Sequence, residues 1–121
     1  MDKKTLRELL KQNLAAAVSK ETGAGYEFEY RFAAPGRQWR SDIAFPAAKV
    51  AVEIDGGIWT YGRHNRAASM LDDMEKGNGY SARGWIVFHM PWEWIDGGKR
   101  DRSAQLINDI SEIVRSRMVA L

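Results

Sequence analysis

The stretch 38–55 constrains this chain more than any other. Two apolar-rich runs, 38–45 and 50–55, flank Pro46-Ala47-Ala48-Lys49, a spacing that closes a hairpin between Ala47 and Ala48. That centre pairs Phe45 with Val50, Ile43 with Val52 and Asp42 with Glu53. Strand side chains alternate, so Trp39, Ile43, Phe45, Val50, Val52 and Ile54 fall on one wall. Arg40, Asp42, Ala44, Ala51, Glu53 and Asp55 fall on the other, where the small alanines leave space above the two acids. Directly opposed side chains of an antiparallel pair have Cβ atoms about 4.5–5.5 Å apart, and like charges there repel. Asp42 opposite Glu53 therefore needs a counter-charge. A hard divalent cation supplies one, since magnesium takes one or two carboxylates together with backbone oxygen, water and substrate phosphate. The alternative is an ordinary solvated sheet face on which Arg40 pairs with Asp55.

Periodicity places the other elements around this hairpin. Leu6, Leu9, Leu10, Leu14, Ala17 and Val18 follow helical spacing over 5–20, ended by Gly23 and Gly25. Residues 26–32 alternate Tyr26, Phe28, Tyr30 and Phe32 with charged neighbours, which predicts a strand with one buried face. A helix is predicted over 65–80 with Ala67, Met70, Leu71 and Met74 on its apolar side, then a strand over 85–90 closed by Pro91. Leu106, Ile107, Ile110, Ile113 and Val114 mark a last helix over 103–118. The order α-β-β-β-α-β-α predicts an α/β fold, a mixed sheet flanked by helices, in one domain spanning 1–121. Cysteine is absent, which excludes disulfide and zinc-thiolate chemistry and suits a reducing cytoplasm. No apolar run approaches the roughly 20 residues that a bilayer requires, so a soluble chain without a membrane partner is expected. A net charge of +2 permits an anionic partner without demanding one.

From Glu29 to Asn78, and again at Gly84-Trp85-Ile86-Val87, the chain resembles the PD-(D/E)XK nucleases, particularly small bacterial and phage proteins related to the Vsr mismatch-endonuclease branch. The segments that carry the resemblance are Arg37-Gln38-Trp39-Arg40-Ser41-Asp42, Val52-Glu53-Ile54-Asp55-Gly56-Gly57, Gly62-Arg63-His64 and Asp73-Met74-Glu75-Lys76-Gly77-Asn78. It implies a restriction-endonuclease-like core and hydrolysis of DNA phosphodiesters dependent on Mg2+ (or Mn2+), with branched (Holliday junction) or mismatched DNA as candidate substrates. Asp42, Glu53 and the backbone carbonyl of Ile54 would hold the metal. A bacterial or phage-infected cytoplasm, and a role in DNA repair or recombination, go with it.

The chain departs from the family at the third motif position, where the usual lysine is Asp55. Lys76, on the following helix, is the substitute the resemblance offers, with Asp55 either binding metal or steering Lys76. The helical wheel turns Lys76 away from Met70, Leu71 and Met74, so a solvent-facing lysine paired with Asp73 is the competing reading, and it puts Asn78 on the apolar side as a buried amide. Glu29 and Glu8 are candidate outer ligands, although Glu8 points away from the leucine stripe. Arg31, Arg37, Arg40, Arg63, His64 and Arg66 are candidates for DNA phosphates, and Trp59 and Tyr61 for stacking on or wedging into bases. His89 reads as a core or edge residue, and Trp92 and Trp94 either cover the sheet edge or join a homodimer interface. The alternative function is a catalytically inactive nucleic-acid-binding or assembly protein that retains the nuclease fold.

Overall fold

An acidic cap and a left-handed glycine bound the first helix. The Asp2 carboxylate accepts the Thr5 amide at 2.7 Å, and Gly23, at φ 76°, donates its amide to Ser19, so α1 runs Lys3–Thr22. The computed structural model describes residues 2–55, 66–96 and 99–119. After α1 come β1 (Glu27–Tyr30), β2 (Ser41–Phe45), β3 (Val50–Asp55), α2 (Arg66–Ala82), β4 (Ile86–Pro91), α3 (Trp92–Asp96) and α4 (Arg100–Val119). The strands form one mixed sheet in the order β1-β2-β3-β4, antiparallel except for the parallel pair β3/β4. The predicted element order stands, with α3 added between β4 and the last helix. Trp92 and Trp94 of α3, partly buried, pack against the main core. Among the described residues, no helix is long and apolar enough to cross a membrane.

The hairpin has the predicted register: Phe45 pairs with Val50, Ala44 with Ala51 and Ile43 with Val52. Ile43, Phe45, Val50, Val52 and Ile54 meet Leu14, Ala15 and Val18 of α1 and Ile110 and Val114 of α4 in the main core. Each such side chain contributes roughly 1.5–3 kcal/mol by leaving water. A second, aromatic cluster lies beneath α2, where Phe32, Ala33, Ala51 and Tyr80 pack with Tyr30, Trp39, Trp85 and Val87.

Trp39 therefore belongs to the α2 side and not to the wall of Ile43 and Phe45. The expected single aromatic face of β1 is also broken, since Phe28 joins the main core while Tyr30 and Phe32 join the second cluster. The cause is local: Glu29 adopts φ 50°, a left-handed conformation costing a non-glycine residue about 1–2 kcal/mol, and this turns the strand over between Phe28 and Tyr30.

Both amphipathic assignments also shift. In α1 the buried stripe is Lys11, Leu14, Ala15 and Val18, while Leu6 and Leu9 are exposed. In α2 Met70, Leu71 and Met74 face outward, and the helix docks instead through Gly79 and Tyr80. Tyr80 stacks on Phe32 with ring centroids 3.7 Å apart. A Cβ at Gly79 would stand 2.5 Å from the Trp39 ring, so only glycine lets the indole lie against this helix. With the helix turned this way, Asn78 is exposed rather than buried, and Lys76 is carried inward.

Candidate active site

The β2/β3 ladder ends where the two acids begin. One step beyond the pair Ile43/Val52, the Ile54 amide donates to Asp42 Oδ2 at 2.7 Å. A side-chain carboxylate thus satisfies an amide at the point where the strands stop pairing.

Glu53 is buried on the α2 side. Its Oε1 accepts the Tyr80 hydroxyl at 2.6 Å and stands 2.6 Å from the Lys76 ammonium. Tyr80 spends its one proton on Glu53, so the Ser41 hydroxyl, 2.7 Å away, donates to the Tyr80 oxygen. Burial, followed by the bond to Glu53, pushes the Tyr80 phenol up, so it remains a donor. The Lys76 ammonium lies 5.8 Å from the Tyr80 ring centroid, and the pair with Glu53 replaces the expected pair with Asp73.

Asp42 lines a cleft of about 420 Å³ under the first turns of α1, together with Glu8, Lys11, Glu29 and Ile54. The expected shared open wall above Ala44 and Ala51 is not found, because both alanines are fully buried and Tyr80 covers Ala51. Lys11, almost buried, reaches Glu29 at 3.0 Å and Glu8 at 3.7 Å. Glu8 misses the leucine stripe, yet lines the same cleft as Asp42, because α1 packs through the Lys11 stripe instead.

Burial raises the Asp42 carboxyl from 3.8 to about 6; the Glu53 and Glu29 charges add to the rise, while the Ile54 amide and Lys11 oppose it. The native state thus holds this proton to higher pH than the unfolded chain. The associated stability is present below about pH 4 and is lost as pH rises through about 6. In metal-free buffer, Asp42→Asn, which keeps an acceptor for the Ile54 amide, is expected to gain stability relative to wild type as pH rises from 5 to 8. Urea denaturation at stepped pH reads this, and parallel profiles would place the destabilising charge elsewhere.

Asp55 and His89 form a third group at the carboxyl ends of the parallel strands. His89 stands opposite Glu53 in the β3/β4 register, and its Nδ1 donates to Asp55 Oδ2 at 2.9 Å. That bond, against the opposing effect of burial, raises the imidazole pKa. His89 is therefore an exposed residue of the edge strand β4, the edge reading and not the core one, and Asp55 pairs with it instead of with Arg40.

Of the residues predicted to grip DNA, Arg31 and Arg40 are exposed, whereas Arg37 is bonded to Glu75 at 3.0 Å and lies 3.9 Å from the Trp39 ring centroid. Trp59, Tyr61, Arg63 and His64 lie outside the described residues, as does the side chain of Arg66.

Three participants escaped the sequence reading: Lys11, Tyr80 and His89. Lys11 was open to detection, because it stands at i with Leu14, Ala15 and Val18 at i+3, i+4 and i+7, the spacing of a buried face. Comparison of the chain with protein-family models, curated proteins and solved structures gives no match.

Proposed function

We propose that this protein is a metal-dependent DNA endonuclease of the PD-(D/E)XK type, built on a restriction-endonuclease-like core. One observation carries the reading: two carboxylates, Asp42 and Glu53, follow the last pair at the open end of the β2/β3 ribbon, the Glu53 charge bearing on Asp42, with an α2 lysine 2.6 Å from Glu53. Lys76 thereby answers the departure at Asp55.

The donor set suits a hard cation. Asp42, Glu53 and the Ile54 carbonyl would supply oxygen donors; burial is the main cause of the raised Asp42 pKa, and the Glu53 and Glu29 charges add to it against Lys11. Among the described residues, no group of three or more His, Asp or Glu side chains is placed to hold a metal ion. A magnesium-type site would need only two carboxylates, completed by backbone oxygen, water and substrate phosphate. When bound, such an ion supplies Lewis-acid stabilisation and a water of lowered pKa.

The chain's own groups supply position and charge. Tyr80 and Ser41 fix the rotamer of Glu53, the Ile54 amide fixes Asp42, and Lys76 brings an ammonium to orient the attacking water and offset charge developing on the phosphoryl oxygens. The test is a panel of labelled linear, mismatched, flapped and four-way DNAs incubated with magnesium or manganese. Wild type is expected to cut at least one substrate, and Glu53→Ala none.

A second reading, a nucleic-acid-binding or assembly protein without catalysis, is favoured by the fact that each acid already has a partner: Lys76 and Tyr80 at Glu53, and the Ile54 amide at Asp42. Survival of every DNA in the panel, with no manganese uptake by calorimetry, selects this reading.

A further inference from the structure

The cleft that contains Asp42 is built along one face of α1, where Lys4, Arg7, Glu8 and Lys11 follow at i, i+3, i+4 and i+7. Its lining carries both signs of charge. Asp42 and Glu29 lie within, beside Lys11, while Lys3, Lys4 and Arg7 line it from the first turns of the helix. The Arg7 guanidinium lies 4.9 Å from the Trp92 ring centroid, which braces that arginine at the cleft wall. Lys3 and Lys4 are exposed and make no ion pair among the described residues. The helix terminus itself is not the anion site, because the Asp2 carboxylate already caps it. The basic character comes from side chains along the face.

We propose that this cleft is the path of the DNA strand being cut, with Lys3, Lys4 and Arg7 holding phosphates that flank the one presented to Asp42. The proposal rests on the endonuclease reading and adds to it the side of the sheet on which substrate lies. The mix of charges supports this assignment. Lys3, Lys4 and Arg7 line the same cleft as Asp42, so phosphates beside the scissile one can be neutralised while that one lies at Asp42. The volume, about 420 Å³, lies within the ~300–1,000 Å³ of ordinary ligand sites and suits one strand. On the α2 side, by contrast, Arg37 is already engaged by Glu75 and Trp39.

The test measures binding without turnover: fluorescence anisotropy of a fluorescein-labelled DNA duplex in EDTA across a salt series, for wild type, Lys3→Gln/Lys4→Gln and Lys20→Gln. Glutamine is about as helix-favouring as lysine, and all three lysines are exposed, so the fold is retained. The double variant is expected to bind about tenfold more weakly at low salt, with a log–log salt slope shallower by about 2, as loss of two phosphate contacts requires. Lys20→Gln, at the far end of α1, is expected to match wild type. If the double variant keeps the wild-type slope, or Lys20→Gln loses as much, the cleft assignment falls while the endonuclease reading stands. If wild type binds no DNA at any salt, both fall together.

Discussion

Tyr80→Ala is expected to destabilise the protein by about 3–5 kcal/mol, measured by urea or guanidinium denaturation. The side chain is 3% exposed and stacks on Phe32, so its removal opens a cavity at the centre of the α2-side cluster. It also withdraws the hydroxyl that donates to Glu53 and accepts from Ser41, leaving a buried carboxylate with one partner fewer. Tyr80→Phe isolates the second effect. It preserves the stack with Phe32 and is expected to cost only about 1–3 kcal/mol, the desolvation penalty of the groups it strands. Equal losses for the two variants would mean that the hydroxyl network, and not aromatic packing, holds α2 against the sheet.

The importance of Tyr80 also marks where sequence patterning stops being informative. The hairpin register was legible because two strands of period two flank a four-residue connection, and a one-residue slip would have sent Val50, Val52 and Ile54 to the opposite face, beneath α2. The position of Asp42 and Glu53 one step beyond Ile43/Val52 was legible for the same reason, whereas their separate surroundings, the α1 cleft and the Tyr80 network, were not. The facing of α2 was not, because its most apolar residues, Met70, Leu71 and Met74, are left outside. What docks the helix is a non-local fit of Gly79 to Trp39 and Tyr80 to Phe32, partners 40 and 48 residues earlier in the chain. A glycine inside a helix costs about 1 kcal/mol relative to alanine, and Gly79 was the available sign that something packs closely there. That single misjudged rotation accounts for both the inward swing of Lys76 and the exposure of Asn78. The turnover of β1 at Glu29 had no sequence signal, since glutamate does not favour positive φ.

Lys76→Met is expected to reduce DNA cleavage on the order of 10²–10³-fold, the range seen when one charge-stabilising donor is removed from an active site. Methionine keeps the aliphatic stem beside Tyr80 while deleting the ammonium. Stability should also fall, by about 1–3 kcal/mol, because Glu53, with its side chain 11% exposed, loses its counter-charge. A structural ion pair would produce that second loss unaided, so stability alone does not identify the role of the lysine. Adding Glu53→Gln separates the two. The neutral amide no longer needs a cation, so Lys76→Met/Glu53→Gln should recover stability relative to Lys76→Met, with a coupling of about 0.5–3 kcal/mol in the double-mutant cycle. Cleavage should not recover with it, because the proposed metal carboxylate is then missing as well. Retention of cleavage within about threefold in Lys76→Met would remove the lysine from the chemistry and leave it as the electrostatic partner of Glu53. A 10²–10³-fold loss in Lys76→Met, measured where the variant remains folded, would instead tie the inward turn of α2 to function: the rotation that leaves three apolar side chains in water is the one that sets an ammonium beside Glu53.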